Sequence, residues 1–140
     1  MAGALTLEIA TPERLLLREQ VSEVVLPGAT GALGILPEHA PLLTELGPGE
    51  LAYVPTGGQR KFIAIRGGWA EVLPDRVRVL ATGAEFGDEI DIKRAEEALR
   101  RAEASLSSSK EDLDTVKAIN KMRRAQARLE VARHTGHHRS

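Results

Sequence analysis

Residues 26–44 read LPGATGALGILPEHAPLLT, a stretch that mixes turn-forming residues with apolar ones. It holds three glycines, three prolines and a single formal charge, at Glu38. Surface loops are usually polar, so a segment this apolar must either fold back into a core or be covered by a partner. Its frequent turn residues favour short strands in this part of the chain.

The rest of the first 88 residues also has the pattern of short strands. The alternating or β-branched runs are residues 5–9, 21–26, 60–66, 70–73 and 76–80. Residues 55–58 are typical of a hairpin tip, and Gly67-Gly68 indicates either a tight turn or a bulge. Many short strands between glycine and proline turns predict an antiparallel β-sandwich, or flattened barrel, over residues 1–88.

From Asp91 onward the apolar period becomes that of helices. The apolar positions are Ala95, Ala98, Leu99, Ala102 and Leu106, then Val116, Ile119, Met122, Ala125 and Leu129. Ser109, followed by Asp112, predicts the start of the second helix. The pattern predicts a two-helix antiparallel hairpin over residues 89–134 and a disordered tail at 135–140, hence an α+β protein.

The first helix carries alanine along its apolar stripe, which buries little area at roughly 25 cal/mol per Å². We therefore expect a hairpin that is held weakly and is able to detach. Residues 83–90 join the two halves and contain two glycines within five residues. They indicate either a hinge or a simple turn from strand to helix.

Composition narrows the classes of function. The chain has no cysteine, which excludes disulfides and thiolate sites. It has no run of 18 apolar residues and no signal-peptide pattern, so we expect it to act in the compartment where it is made. Residues 1–90 hold 7 basic and 12 acidic side chains, whereas residues 91–140 hold 12 basic and 8 acidic ones. The basic second half indicates either an acidic partner surface or a solvated helix face.

No catalytic constellation is recognisable. His39 stands beside two prolines, a setting more typical of a loop-fixing hydrogen bond than of a catalyst. His134, His137 and His138 fall near the end of the chain and indicate a disordered end rather than a metal site. The spacing of Gly28, Gly31 and Gly34 fits neither a phosphate loop nor a dinucleotide fingerprint. We therefore predict a protein that is not an enzyme and holds no metal.

One group of residues has ligand-like spacing. Arg94 and Arg101 are seven residues apart on one helix face, and Arg124 and Arg128 are one turn apart on the next helix. Side by side, the four guanidinium groups could surround a phosphate. Asp91 could cap the first helix or accept from an adenine amino group. The alternative is that Asp91 only caps and the arginines form surface salt bridges, each worth about 0–1 kcal/mol.

Residues 26–44 resemble the hallmark segment of the epsilon subunit of F-type ATP synthases at each fixed position of its pattern. The resemblance continues through residues 46–51, Gly67-Gly68 before Trp69, and the element Ile90-Asp91-x-x-Arg94-Ala95. It implies a β-sandwich followed by a helical hairpin, in a rotor subunit that carries out no chemistry and requires no cofactor. It also implies a place on the cytoplasmic face of the bacterial plasma membrane, without insertion into the bilayer.

The resemblance implies partners as well. The sandwich would bind the gamma subunit and rest on the ring of c subunits. The residues expected to face partners are Thr30, Gly31, Ala32, Leu33, His39, Ala40, Pro41 and Leu42. Some relatives carry an acidic residue where this chain has Thr30 and Ala32, so the resemblance implies an apolar or backbone contact with the c ring rather than an ionic one.

Regulation is implied for the helices. They would extend into the catalytic alpha/beta hexamer and inhibit ATP hydrolysis, through Arg100, Arg101, Arg123 and Arg124. Some bacterial members bind ATP in the folded hairpin. The positions of this chain that match that site are Glu85, Ile90, Asp91, Arg94, Ala95, Arg101, Arg124 and Arg128.

Two other classes of function compete with this interpretation. The first is a stand-alone nucleotide-binding regulatory module outside any rotary complex. The second is a nucleic-acid-binding β-barrel, which the acidic first half and the 3% aromatic content disfavour.

Overall fold

The computed structural model describes residues 4–108 and 112–136. The strands are β1 Leu5–Ala10, β2 Leu15–Gly28, β3 Gly31–Ile35, β4 Leu42–Leu46, β5 Gly49–Pro55, β6 Lys61–Leu73 and β7 Arg76–Phe86. A short 3-10 helix, Gly87–Glu89, leads into α1 Ile92–Ser108 and α2 Asp112–His134. The predicted change from strands to helices is confirmed.

The seven strands form one sheet that closes on itself. The strand order is β1-β7-β6-β4-β2-β3, β5 pairs with both β2 and β6, and β1 also pairs with β2. All pairs are antiparallel except β1 with β7, which run parallel. The predicted sandwich or flattened barrel is therefore confirmed, with one parallel pair that local sequence patterns do not encode.

Aliphatic side chains fill the inside of this closed sheet. Alternate residues of β1, namely Leu5, Leu7 and Ile9, are fully buried, as the period of two requires. Tyr53 is the buried aromatic residue of this core. Burial, with a smaller contribution from the Glu19 carboxylate, raises the pKa of Tyr53 to about 12.

Gly67 and Gly68 form a bulge, and β6 runs through them without turning. Ile65 pairs with Ala84 and Gly67 pairs with Gly83, so Arg66 between them has no partner across the strand. Gly67 and Gly68 have φ of 150° and 135°, a region that L side chains rarely adopt. The bulge alternative is thus the one observed.

The apolar segment 26–44 contributes side chains to the core and also leaves apolar side chains on the surface. Leu26 and Ile35 are buried in the sandwich core, whereas Leu36 and Leu43 are 60% and 68% exposed. The ring Nδ1 of His39 donates a hydrogen bond of 2.7 Å to the carbonyl of Ala40, the loop-fixing contact expected of it.

The hairpin rests on the sandwich mainly through α2, which packs against β5, β6 and the 3-10 helix. We call this contact the docking seam; its buried residues are Ala64, Ile90, Val131 and Ala132, with Phe62 and Ile92 packed against them. His134 lies at the end of α2 rather than in a disordered end. Its Nδ1 is 2.6 Å from Glu50 Oε2 on β5, and its ring lies 4.8 Å from that of Phe62.

The two helices pack against each other, and buried alanines lie on both of them. They are Ala95 and Ala102 on α1, and Ala118, Ala125, Ala127 and Ala132 on α2. Val116, one of the apolar positions at helical spacing, is 53% exposed. The apolar spacing alone therefore did not show which side of α2 is covered.

Three further predictions concern the start of the second helix, the C-terminal tail and the join between the two halves. The Ser109 start signal lies outside the described residues. Thr135 and Gly136, from the predicted tail, continue the end of α2: Thr135 N donates to Val131 O at 2.9 Å and Gly136 N to Arg133 O at 3.1 Å. Residues 137–140, with His137 and His138, also lie outside the description. In the join, Gly83 belongs to β7 and Gly87 opens the 3-10 helix.

Candidate anion-binding cleft

A cleft of about 760 Å³ lies between the strands and the hairpin. Its strand wall is formed by Ala64, Ile65 and Arg66 of β6 and Gly83, Ala84 and Glu85 of β7. Its helix wall is formed by Arg94, Ala98, Arg101, Ala102 and Ser105 of α1 and Lys121, Arg124, Ala125 and Arg128 of α2. The volume is in the range of small-molecule sites, about 300–1,000 Å³.

The cleft is strongly basic. Of the described residues that line it, six are basic and one, Glu85, is acidic. The remaining lining is mostly alanine, whose short side chain leaves the space open. A pocket with this balance of charge favours an anion.

Glu85 is engaged by one of the six cations. Arg128 Nε lies 2.7 Å from Glu85 Oε1, and Arg128 Nη2 donates to Glu85 Oε2 at 3.2 Å. This pair joins α2 to β7 through one hydrogen bond, from Nη2, and one close ionic contact at Nε; the buried Nε–H itself meets no acceptor in hydrogen-bond geometry among the described residues. The pair neutralises one positive charge of the cleft and orients the Arg128 side chain.

The other five cations have no carboxylate partner within residues 4–108 and 112–136. They are Arg66, Arg94, Arg101, Lys121 and Arg124. The Nε of Arg124 is buried and donates no hydrogen bond to any described residue. A buried donor without an acceptor is unfavourable, by about 1–3 kcal/mol, so an entering anion that accepts from it gains that energy. The alternative in which these arginines form surface salt bridges therefore holds for Arg128 alone among the four predicted.

Asp91 caps α1. Its Oδ1 accepts from the backbone N–H of Arg94 at 3.0 Å, and its carbonyl accepts from Ala95 N at 3.0 Å. The cap fixes the first turn of the helix and so directs Arg94 towards the cleft. Ile90 and Ala95 are buried, Ile90 in the docking seam, and neither lines the cleft.

The structure brings together five of the eight residues matched to a nucleotide site: Glu85, Arg94, Arg101, Arg124 and Arg128. It separates the four arginines matched to an inhibitory contact. Arg101 and Arg124 line the cleft, whereas Arg100 and Arg123 are exposed and lie outside it.

Three of the polar or charged residues that line the cleft were not predicted: Arg66, Ser105 and Lys121. Lys121 lies three residues before Arg124 and seven before Arg128, so helical spacing could have identified it. Arg66 could not be identified in this way, because its position depends on how β6 pairs with β7.

The residues predicted to face partners lie on the surface around β3 and β4. Thr30, Gly31, Ala32, Ala40, Pro41 and Leu42 are exposed, and Leu33 and His39 are partly so. A second apolar surface was not predicted. Strand register places Trp69 beside Leu80, Leu80 beside Ala10, and Ala10 beside Leu15. This apolar row is open to solvent, with Trp69 50% exposed.

Among the described residues, no helix is long and apolar enough to span a bilayer. No group of three or more histidine, cysteine, aspartate or glutamate side chains there is arranged to hold a metal ion.

Comparison with known families decides the affiliation. Residues 4–87 match the beta-sandwich domain of the ATP synthase delta/epsilon chain, and residues 88–133 match its long alpha-helix domain. The chain belongs to the ATP synthase delta/epsilon family. The boundary between the matches falls where the strands give way to the 3-10 helix.

Two relatives of this chain are named epsilon chains, and this chain covers nearly the full length of each. The ATP synthase epsilon chain of Solibacter usitatus is 50% identical over 132 residues, covering 94% of this chain and 98% of that relative. That of Syntrophobacter fumaroxidans is 47% identical over 135 residues, covering 96% and 100%.

Solved structures show the same fold. A chain of the Euglena gracilis mitochondrial ATP synthase matches with a TM-score of 0.81 and 25% identity, over 96% of this chain and 84% of that one. A chain of the Tetrahymena thermophila mitochondrial ATP synthase matches with a TM-score of 0.64 at 16% identity, and this match supports the fold alone.

Proposed function

We propose that the chain is the epsilon subunit in the central stalk of a proton-translocating F-type ATP synthase. It carries out no chemistry and helps to couple rotation to ATP synthesis, bound at the cytoplasmic face of the bacterial plasma membrane. Family membership and the names of the relatives support this proposal. So do the exposed leucines of segment 26–44 and the apolar row, which are surfaces for the gamma subunit and the c ring to cover.

The hairpin would regulate hydrolysis by docking and undocking. Docked, it lies on the sandwich as described. Undocked, it would extend into the alpha/beta hexamer and inhibit ATP hydrolysis. The modest docking seam, with four buried residues of which two are alanine, supports a change between the two states.

ATP would hold the hairpin docked. The observation that carries this proposal is a set of five cations around one cleft between the sandwich and both helices; none of the five has a carboxylate partner among the described residues. A triphosphate would satisfy the buried Arg124 Nε and the neighbouring guanidinium groups. A ligand that binds the docked state more tightly than the undocked state raises the stability of the docked state by mass action.

Arg101 and Arg124 would take part in both states of the hairpin. Both line the cleft when the hairpin is docked, and both are among the residues matched to the inhibitory contact. The same two side chains would therefore serve the nucleotide in one state and the hexamer in the other. Each use would exclude the other, so ATP would oppose inhibition.

Calorimetric titration of the full chain with ATP tests the nucleotide site. We expect binding that Arg94→Ala weakens, because that change removes a cation from the cleft while the Asp91 cap remains. Arg100→Ala, on the same helix but outside the cleft, is the matched control and should leave affinity unchanged. Absence of binding at millimolar ATP would remove the nucleotide site from the proposal.

The inhibitory role is tested in the assembled enzyme. Deletion of residues 89–140 should raise ATP hydrolysis, and unchanged hydrolysis would refute the role. Co-purification separates the rotor subunit from a stand-alone regulatory module. Association with the gamma subunit is expected, and recovery of the chain only as a free monomer from membranes would favour the stand-alone module.

A further inference from the structure

Of the described cations that line the cleft, Arg66 alone lies on a strand. Arg94 and Arg101 belong to α1, and Lys121, Arg124 and Arg128 belong to α2. When the hairpin leaves the sandwich, these five side chains travel with it. Arg66 stays behind on β6.

Two features of the backbone direct Arg66 into the cleft. It is the extra residue of the bulge between the Ile65–Ala84 and Gly67–Gly83 pairs, and bulges redirect side chains. Its aliphatic stem then crosses Gly83 of β7. A Cβ atom at Gly83 would lie 2.5 Å from Arg66 Cδ, so only glycine leaves this path open.

We propose that Arg66 is the residue through which a polyphosphate in the cleft ties the hairpin to the sandwich; this inference rests on the proposed function. A ligand shifts an equilibrium only by its difference in affinity for the two states. Contacts with helix cations that persist after undocking add affinity but no difference. A contact with Arg66 exists only in the docked state, so it couples binding to docking.

The chemistry of the strand wall supports this assignment. Its other charged residue, Glu85, is held by Arg128 and would repel an anion. Arg66 has no ion-pair partner in the described part of the chain, and its planar fork suits two phosphate oxygens. The ligand class is a chain of phosphates, because a single phosphate carries at most about two negative charges, fewer than the five cations of the cleft that lack a carboxylate partner among the described residues.

Amide hydrogen exchange of α2 in the full chain tests the inference, with ATP as the probe. In the wild type we expect protection of the α2 amides to rise with ATP and reach a plateau that reports the coupling. Arg66→Gln should lower that plateau about tenfold, as loss of one charged hydrogen-bond contact implies. Arg66→Lys keeps the charge without the fork and should give an intermediate plateau.

Lys121→Gln is the matched comparison. Lys121 moves with α2, so this change should leave the plateau intact and move the response to several-fold higher ATP. Arg18→Gln, on β2 and paired with Glu8 away from the cleft, should alter neither.

The remaining outcomes separate the coupling role of Arg66 from the proposed ATP site. A wild-type plateau in Arg66→Gln would overturn the coupling role of Arg66 and leave the proposed ATP site standing. If ATP has no effect on wild type, the proposed ATP site fails, and tripolyphosphate decides the inference. Protection by tripolyphosphate that Arg66→Gln lowers would sustain the role of Arg66, and no response to tripolyphosphate would overturn it too.

Discussion

Val131→Ala is the sharpest test of how the hairpin is held. Val131 is fully buried in the docking seam beside Ala132, Ala64 and Ile90. The change removes two methyl groups at about 0.8 kcal/mol each and leaves a small cavity, for a total of about 2 kcal/mol. Because the seam exists only in the docked state, this cost should fall on docking and increase the undocked-to-docked ratio roughly 30-fold.

Amide hydrogen exchange separates this local effect from global unfolding. We expect the opening free energy of α2 amides to fall by about 2 kcal/mol, while strands of the sandwich keep their protection. Val116→Ala is the matched control, since it makes the same change on the same helix at a position that is 53% exposed. It should leave α2 protection nearly unchanged.

Two results would contradict a local role of Val131 in docking the hairpin. Equal loss of protection in α2 and in β1 or β7 would mean that the seam and the sandwich unfold as one unit. Equal effects of Val131→Ala and Val116→Ala would mean that the seam contributes no more than an exposed position does.

Three further predictions concern single residues. Tyr53 is the one tyrosine, so tyrosinate absorbance should titrate near pH 12 in the folded chain and near 10.0 in urea. Because the folded-state pKa is raised, about 3 kcal/mol of stability is present below pH 10.0 and is lost as the pH rises to about 12. Tyr53→Phe should abolish this loss, and a native midpoint near 10.0 would contradict the raised pKa. Gly68→Ala should destabilise the sandwich by about 3 kcal/mol or more in urea unfolding, because φ is 135° and the new Cβ would lie 2.1 Å from the Leu80 carbonyl oxygen. Gly34→Ala is the control, since no heavy atom lies within 4 Å of a Cβ placed there. Equal effects of the two changes would contradict backbone strain at Gly68. Asp91→Ala should cost about 1 kcal/mol of local stability in the first turn of α1, and Asp91→Asn should cost much less, because asparagine can also cap a helix. Amide exchange in that turn measures both losses, and equal losses would argue against capping.

Local patterns were sufficient to predict much of the fold. The alternation of Leu5, Leu7 and Ile9 encodes a strand with one buried face, and the change of period after Asp91 encodes helices. Asp91 and the spaced arginines were identified because a helix fixes which side chains share a face. The parallel pairing of β1 with β7 was not predicted, because it joins residues 70 positions apart without a local signal.

The strand wall of the cleft shows where sequence patterns stop being informative. Arg66 lies in a run that reads as an ordinary strand, and its direction depends on the register of β6 against β7. Gly83 looks like part of a linker until that register places it under the Arg66 side chain. Val116 illustrates the same limit: a helix pattern shows which residues are apolar, but not which face of the helix its neighbour covers.

An anion in the cleft is proposed to hold the hairpin against the sandwich. The opening free energy of the α2 amides in the full chain, measured with and without millimolar ATP, tests this proposal. We predict that ATP raises this free energy in the wild type and not in a variant that lacks Arg94, Arg101 and Arg124. An α2 opening free energy that does not change with ATP in the wild type would contradict it.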